Sequence, residues 1–209
     1  MYYPIVLKIA GRSVVIVGGG EVAEGKTQAL LQSGASVTIV SPELTPQLRS
    51  LADSGAILWH RRPYESADVH DAFLVIAATD DEVVQAQVWQ DARENKVLTN
   101  TVDRLDRCDF IMPSVIRRDD LIVSVSTSGK SPAFAAWLRR KIAGIVTSEF
   151  GRVVALLGFM RNEVHDRFNS VGERKRAYQR ILDTGIVKWI RHCDDATAKR
   201  RIHDILQEL

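Results

Sequence analysis

The stretch Val14-Val15-Ile16-Val17-Gly18-Gly19-Gly20-Glu21-Val22-Ala23 constrains this chain more than any other, because a run of β-branched residues ends in glycines and continues into a helical pattern. An apolar run of this kind reads as a strand buried on both faces, as in parallel sheets. The spacing G-x-G-x-x-A over Gly18, Gly20 and Ala23 is that of a dinucleotide-binding turn. Gly18 permits the tight turn, Gly20 lets the backbone approach a pyrophosphate, and Ala23 lets the helix pack closely on the strand. The helix opens at Glu21 and Val22, whose unpaired N–H groups would face the phosphates.

Short apolar runs then alternate with helical stretches, the pattern of a parallel sheet wound with helices. Strands are predicted at Ser13–Val17, Ser36–Val40, Ala56–His60, Phe73–Ala78, Val97–Thr101 and Phe110–Met112, with helices at Glu21–Ser33, Glu43–Ser54 and Asp81–Asn95. Together they predict one α/β, Rossmann-type domain over residues 1–112. After Pro113 the pattern changes: Ser114–Arg117 and Leu121–Ser126 read as a hairpin, and a helix starts at Pro132, where a first-turn proline is tolerated. Residues 113–146 form a small hairpin–helix unit, and 147–209 read as an all-α domain, with Val153, Val154, Leu156, Leu157, Met160 and Val164 at helical spacing and breaks at Ser170 and Gly185. The hairpin–helix unit is too small to bury its own apolar face, so pairing of two chains is expected.

The glycine stretch also satisfies a rival motif. Gly20 to Thr27 fits G-x-x-x-x-G-K-[ST], the phosphate loop of nucleotide hydrolases, with Lys26 on the phosphates, Thr27 on Mg²⁺ and Asp80 or Asp81 as the acidic metal residue. That reading leaves about two turns of helix before Gly34 and puts Glu21 and Glu24 in a loop meant to cradle phosphate. The dinucleotide reading is preferred, and it gives Lys26 no part in binding. A third reading is a non-catalytic module that binds NAD and signals without turnover.

A Rossmann domain usually carries a carboxylate after its second strand to hold the ribose diol. Here Ser41-Pro42-Glu43 occupies that place, and no arginine adjoins Glu43 to attract a 2′-phosphate, so NAD is expected over NADP. Glu43 is equally well explained as a first-turn helix residue. Thr79 ends the fourth strand at the carboxyl edge where ligands bind, and Asn100-Thr101-Val102-Asp103 ends the fifth at the same edge.

The ordered set Val17–Glu24 with Lys26, Ala77–Asp81, Asn100–Asp103, Phe110–Ser114, Val123–Pro132 and Gly172-Glu173-Arg174, with Pro4 before it, resembles the precorrin-2 dehydrogenase family, which includes the N-terminal module of siroheme synthase. The resemblance covers nearly all of residues 2–182. It implies a homodimer with a Rossmann domain, a small dimerisation unit and a helical domain covering a tetrapyrrole. It further implies oxidation of precorrin-2 to sirohydrochlorin with NAD and, in some members, insertion of Fe²⁺ as a second substrate. The family's catalytic aspartate falls on Asp103, and its Ser-rich turn falls on Ser126, Thr127 and Ser128, with Thr127 in the closest register. Asn100 and Lys130 join these as expected substrate contacts.

The residues agree with that chemistry. Removing a hydride and a proton needs a nicotinamide acceptor and a modest base, and Asp103 is the candidate if burial raises its pKa from about 3.9. A capping or solvated carboxylate is its alternative role. Residues 1–112 carry 10 Lys/Arg against 15 Asp/Glu, whereas 113–209 carry 18 against 11, so the second half suits a substrate with many carboxylates. Arg117, Arg118, Lys130, Arg139, Arg140 and Lys141 are the cations of the hairpin–helix unit. The five histidines show no i, i+4 pair, so no fixed metal site is expected. No tyrosine is followed four residues on by lysine, which removes the proton relay of short-chain dehydrogenases. No nucleic-acid motif accompanies the Lys199-Arg200-Arg201 cluster. Without a secretory start or an apolar run near 20 residues, and with Cys108 and Cys193 unpaired by spacing, the expected place is the cytoplasm, off the membrane.

Overall fold

The computed structural model describes residues 2–208, which divide after Met112 into two compact units. In the first unit, strands β1 (Ser13–Val17), β2 (Ser36–Val40), β3 (Leu58–His60), β4 (Leu74–Ala77) and β5 (Leu98–Thr101) form a parallel sheet in the order β3-β2-β1-β4-β5. Helices α1 (Glu21–Gln32), α2 (Pro46–Asp53) and α3 (Glu82–Glu94) connect them. The unbroken apolar strands have a simple cause: successive residues feed two different cores. Val14, Ile16, Ile39 and Ile76 pack with Ala23 and Leu30 of α1 and Leu48 of α2. Their neighbours Val15, Val17, Val40 and Val75 pack with Val88 and Ala92 of α3 on the other face.

Two sequence expectations shift here. The sixth strand, Phe110–Met112, does not form, because one residue, Asp109, with the Asn100 amide, takes up the free edge of β5 in place of a ladder. The Thr99 N–H donates to the Asp109 carboxylate (3.0 Å), the Asp109 N–H donates to the Thr99 carbonyl (2.8 Å), and the Asn100 amide donates to the Phe110 carbonyl (2.9 Å). The second helix starts at Pro46 rather than Glu43, since the Thr45 hydroxyl accepts the Leu48 N–H as N-cap and proline takes the first position.

In the second unit, β6 (Ser114–Arg118) and β7 (Leu121–Val125) form an antiparallel hairpin, turning at Asp119 with φ +52°. Helix α4 (Pro132–Ala143) follows, capped by the Ser131 hydroxyl. Helices α5 (Ser148–Phe159), α6 (Arg161–Arg167), α7 (Val171–Asp183), α8 (Ile186–Trp189) and α9 (Asp195–Gln207) enclose a core built on Val153, Leu156, Ile181, Ile190 and Ile202. Ser170 and Glu173 form a capping box at α7, and Gly185, at φ +70°, precedes α8. Breaks at Met160 and at Asp194, which caps α9, add to the two expected from sequence. No single helix among the described residues is long and apolar enough to cross a membrane.

Arg152 of α5 fastens this unit: its guanidinium donates to the Ile190 carbonyl (2.7 Å), the Cys193 carbonyl (2.6 Å) and the Asp195 carboxylate (2.8 Å). Arg152→Ala strands the Ile190 and Cys193 carbonyls in the segment between α8 and α9, and bonds to charged donors are worth about 1.5–3 kcal/mol each. Because water reaches the one-third-exposed guanidinium and replaces part of each bond, the expected loss is about 2–3 kcal/mol, read as a lower urea midpoint at unchanged slope; a midpoint equal to wild type would show that water replaces the guanidinium freely.

Candidate functional site

Strands β1, β4 and β5 are neighbours in the sheet, so the loops leaving their carboxyl ends gather at one edge. The strand order reverses between β1 and β4, the place where open α/β sheets hold ligands.

The three glycines there are required for different reasons. Gly18 has φ +117°, and any side chain would collide with the Ala78 carbonyl oxygen, so the turn packs directly on the end of β4. A side chain on Gly19 would collide with the Glu43 carbonyl oxygen, while the Gly19 carbonyl accepts the Thr45 N–H (2.9 Å). Gly20 faces open space, with nothing within 4 Å of an added Cβ, and it precedes α1 without any side-chain cap. A bare helix N-terminus opening on free space at a glycine suits a pyrophosphate. These residues fit a dinucleotide.

The phosphate-loop alternative is not built. Residues 21–27, which would form that loop, are already helical, and the fully buried Thr27 hydroxyl donates within the helix to the Ala23 carbonyl (2.7 Å). Glu24 accepts from the Thr45 hydroxyl (2.6 Å), and Asp81 caps α3 by accepting the Val83 and Val84 N–H groups. None of these groups is left for Mg²⁺ or phosphate.

Of the expected cofactor residues, Glu21 and Val22 are exposed on the first turn of α1. Ser41 is buried after β2, and its carbonyl accepts the Trp59 indole N–H (2.9 Å), while Pro42 and Glu43 are exposed. Thr79 accepts the Asp81 N–H through its hydroxyl (3.3 Å) and the Gln85 amide through its carbonyl (2.7 Å). A cleft of about 210 Å³ joins Val22, Thr79, Gln85, Val102, Asp103 and Arg104. Thus residues from the β1–α1, β4–α3 and post-β5 connections and their first helical turns meet at one edge of the sheet.

Asp103 lies just beyond β5 with φ +61° and is exposed in this unit rather than buried. Asp and Asn tolerate that backbone region better than other side chains. The loop that carries it is folded around Cys108, whose sulfur accepts the Thr101 N–H (3.2 Å) and whose thiol faces the Thr101 and Arg104 carbonyls. Burial pushes the Cys108 thiol pKa up, which keeps it protonated and inert. Asn100, expected to touch substrate, is buried, and its amide is spent on the Phe110 carbonyl. Gln85 and Arg104 line the cleft without having been expected from sequence, because tertiary packing brings them in; the motif formula likewise treats Gly19 as free, although packing against Glu43 requires a glycine there.

The second unit carries the Ser-rich turn by itself. The Ser126 hydroxyl accepts the Ser128 N–H (3.1 Å), the Thr127 hydroxyl accepts the Ser131 N–H (3.0 Å), and Ser128 sits at φ +54°. Ser126, Ser128 and Lys130 are exposed and Thr127 half-buried. Arg118 is spent on the Val146 carbonyl (3.1 Å). A groove of about 640 Å³ between α5, α6 and α7 sets Arg161, His165 and Arg174 around Val154, Leu157 and Tyr178. Sequence reasoning looked for substrate cations only in the hairpin–helix unit. Among the described residues, no group of three His, Cys, Asp or Glu side chains could hold a metal ion.

Comparison with known proteins agrees in order along the chain. Residues 5–114 match the family model described as "Putative NAD(P)-binding", 118–144 the sirohaem biosynthesis protein central region, and 149–206 the sirohaem synthase dimerisation region. Siroheme synthase 1 of Serratia proteamaculans is 37% identical over 207 residues, covering 99% of this chain and 44% of the relative. Siroheme synthase 1 of Aeromonas salmonicida is 43% identical over 181 residues, covering 87% and 39%. The chain therefore spans less than half the length of these curated relatives. Among solved structures, one titled SirC, precorrin-2 dehydrogenase, superposes with a TM-score of 0.78 over 100% of both chains at 22% identity, which establishes a shared fold.

Proposed function

The chain belongs to the NAD(P)-binding family that continues into the central and dimerisation regions of sirohaem synthase, and on that premise we propose that it oxidises precorrin-2 to sirohydrochlorin with NAD. The observation that carries this reading is the convergence of Val22, Thr79 and Asp103 on one cleft beside the glycine turn.

The backbone of Gly18–Gly20 and the first turn of α1 would hold the pyrophosphate, with Ser41, Pro42 and Glu43 toward the ribose and Thr79 toward the nicotinamide. When bound, NAD supplies the hydride acceptor. Precorrin-2 loses two hydrogens, one as hydride and one as a proton, and Asp103 takes the proton from the macrocycle. Asn100 holds the loop that presents Asp103. Ser126, Thr127, Ser128 and Lys130 are the substrate contacts proposed for the second unit by itself, whose +7 balance of 18 Lys/Arg over 11 Asp/Glu suits a polycarboxylate.

NAD is preferred over NADP because no arginine adjoins Glu43, while Arg49 and Arg61 rest over the Trp59 ring at 5.8 and 5.5 Å from its centre and Arg62 is paired with Asp68 (2.6 Å). Two chains are proposed to pair through 113–146 together with the matched dimerisation region 149–206, so sedimentation should give twice the monomer mass; an active monomer at micromolar concentration would assign that unit to substrate alone. The proposed compartment is the cytoplasm, where Cys108 and Cys193 stay as free thiols.

The test is anaerobic incubation of the full chain with precorrin-2 and either NAD or NADP, followed by addition of Fe²⁺. Expected are NADH formation and a tetrapyrrole spectrum shifting to sirohydrochlorin, faster with NAD; the Fe²⁺ step reads metal insertion directly. NAD binding without turnover would identify the non-catalytic sensor instead.

A further inference from the structure

Of the polar side chains that line the cleft, Gln85, one turn into α3, is the buried one, at 7% exposed. The two ends of its amide meet different surroundings. Nε2 donates to the Thr79 carbonyl (2.7 Å) and ties α3 to the end of β4. A carbonyl only accepts, so the atom facing Thr79 is the nitrogen and the other end of the amide is the acceptor oxygen. Among the described residues no N–H or O–H donates to that Oε1. Nor is it sealed away: the fully buried side-chain polar atom without a partner among those residues is Arg107 Nη1, so Gln85 Oε1 opens on the cleft that its residue lines. A nearly buried acceptor held in one orientation is costly until a donor reaches it.

The size and charge of the cleft identify that donor. Drug-sized ligands take pockets of about 300–1,000 Å³, and at about 210 Å³ this cleft admits one ring rather than a macrocycle. Its rim carries Asp80, Glu82 and Asp103 against Arg104, whose guanidinium is already shared between Asp106 (3.3 Å) and Glu82 (3.8 Å). A rim of that sign suits a cationic ring. The oxidised nicotinamide is such a ring, and the hydrogen-bond donor it carries is the NH₂ of its carboxamide.

We propose that Gln85 binds the nicotinamide carboxamide, its Oε1 accepting a carboxamide N–H while its own NH₂ stays on the Thr79 carbonyl. The inference rests on the NAD reading of this site. The Thr79 bond is what makes the contact selective, because flipping the amide would set its oxygen against another oxygen, so this wall accepts and does not donate. A ring carrying a methyl ketone in place of the carboxamide has the same shape without the donor, and it leaves Oε1 unpaired. One neutral hydrogen bond is worth about 2- to 12-fold in affinity.

Calorimetric titration of the full chain with NAD, with 3-acetylpyridine adenine dinucleotide and with ADP-ribose, which lacks the ring, reads the contact without turnover. Wild type should bind NAD about 2- to 12-fold more tightly than the acetylpyridine analogue. Gln85→Leu should bind the two equally, with the ADP-ribose Kd the same in both proteins because the glycine turn holds that end. No preference for NAD in wild type would overturn the proposal, as would a preference that survives in Gln85→Leu. A loss shared equally by NAD and the analogue would also overturn it and leave Gln85 as a clamp on Thr79 alone. Should the leucine variant melt early, Gln85→Met carries the same comparison. ADP-ribose binding without discrimination at the ring would leave the dinucleotide reading standing and sink the Gln85 contact, whereas failure of wild type to bind any of the three would overturn both.

Discussion

Asp103→Asn is expected to lower kcat for precorrin-2 oxidation by about 10²–10⁴-fold, the usual cost of removing a positioned general base. Asparagine is the right replacement for a structural reason. Residue 103 sits at φ +61°, a region that Asp and Asn occupy at little cost but that would strain Ala or Leu. The substitution therefore keeps the turn after β5, the side-chain volume and the hydrogen-bonding capacity, and removes only basicity. NAD affinity should hold, because the glycine turn and the first turn of α1 carry the other end of the cofactor. The melting temperature should hold too, since Asp103 is exposed and makes no ion pair among the described residues. Near-normal turnover in a folded variant would take Asp103 out of the mechanism and leave the proton to water or to the substrate's own carboxylates.

What the sequence made legible follows from how local each signal is. Five strands and the order of the helices could be read because β-branched runs and glycine or proline punctuation act within a few residues. The sixth strand was misread because Asp109 and Asn100 satisfy the edge of β5 with side chains, and periodicity cannot see a side chain substituting for a ladder. The start of α2 was misplaced although its signal, Thr45 before Pro46, stands in the sequence; Glu43 drew the boundary because an acidic first turn also suits a helix. The cleft itself was half legible. Thr79 and Asp103 were found because they end strands, and strand ends in a parallel sheet share an edge. Gln85 and Arg104 reach the same place from helix and loop positions that no short motif links, and only the packed chain brings them together. Burial was only a condition attached to the base role of Asp103, and the first unit leaves the residue exposed.

The glycine turn gives the second large effect, and it separates two roles that the motif runs together. At Gly20 an added side chain meets no protein atom within 4 Å, so Gly20→Val should fold normally and fill the space through which the helix N-terminus meets the pyrophosphate. Forcing a branched side chain into a filled site costs about 1–3 kcal/mol, and each 1.4 kcal/mol is a tenfold change, so NAD affinity should fall by about 5- to 140-fold. At Gly18 the same logic gives the opposite split. A side chain there runs into the Ala78 carbonyl and φ is +117°, so Gly18→Ala should lower the melting temperature before it says anything about NAD. Calorimetric NAD titration and thermal melts of both variants form one experiment. Equal NAD affinity in Gly20→Val and wild type would mean that the dinucleotide does not lie on this turn, and the β1–α1 junction would then be a structural corner with its ligand elsewhere on the sheet edge.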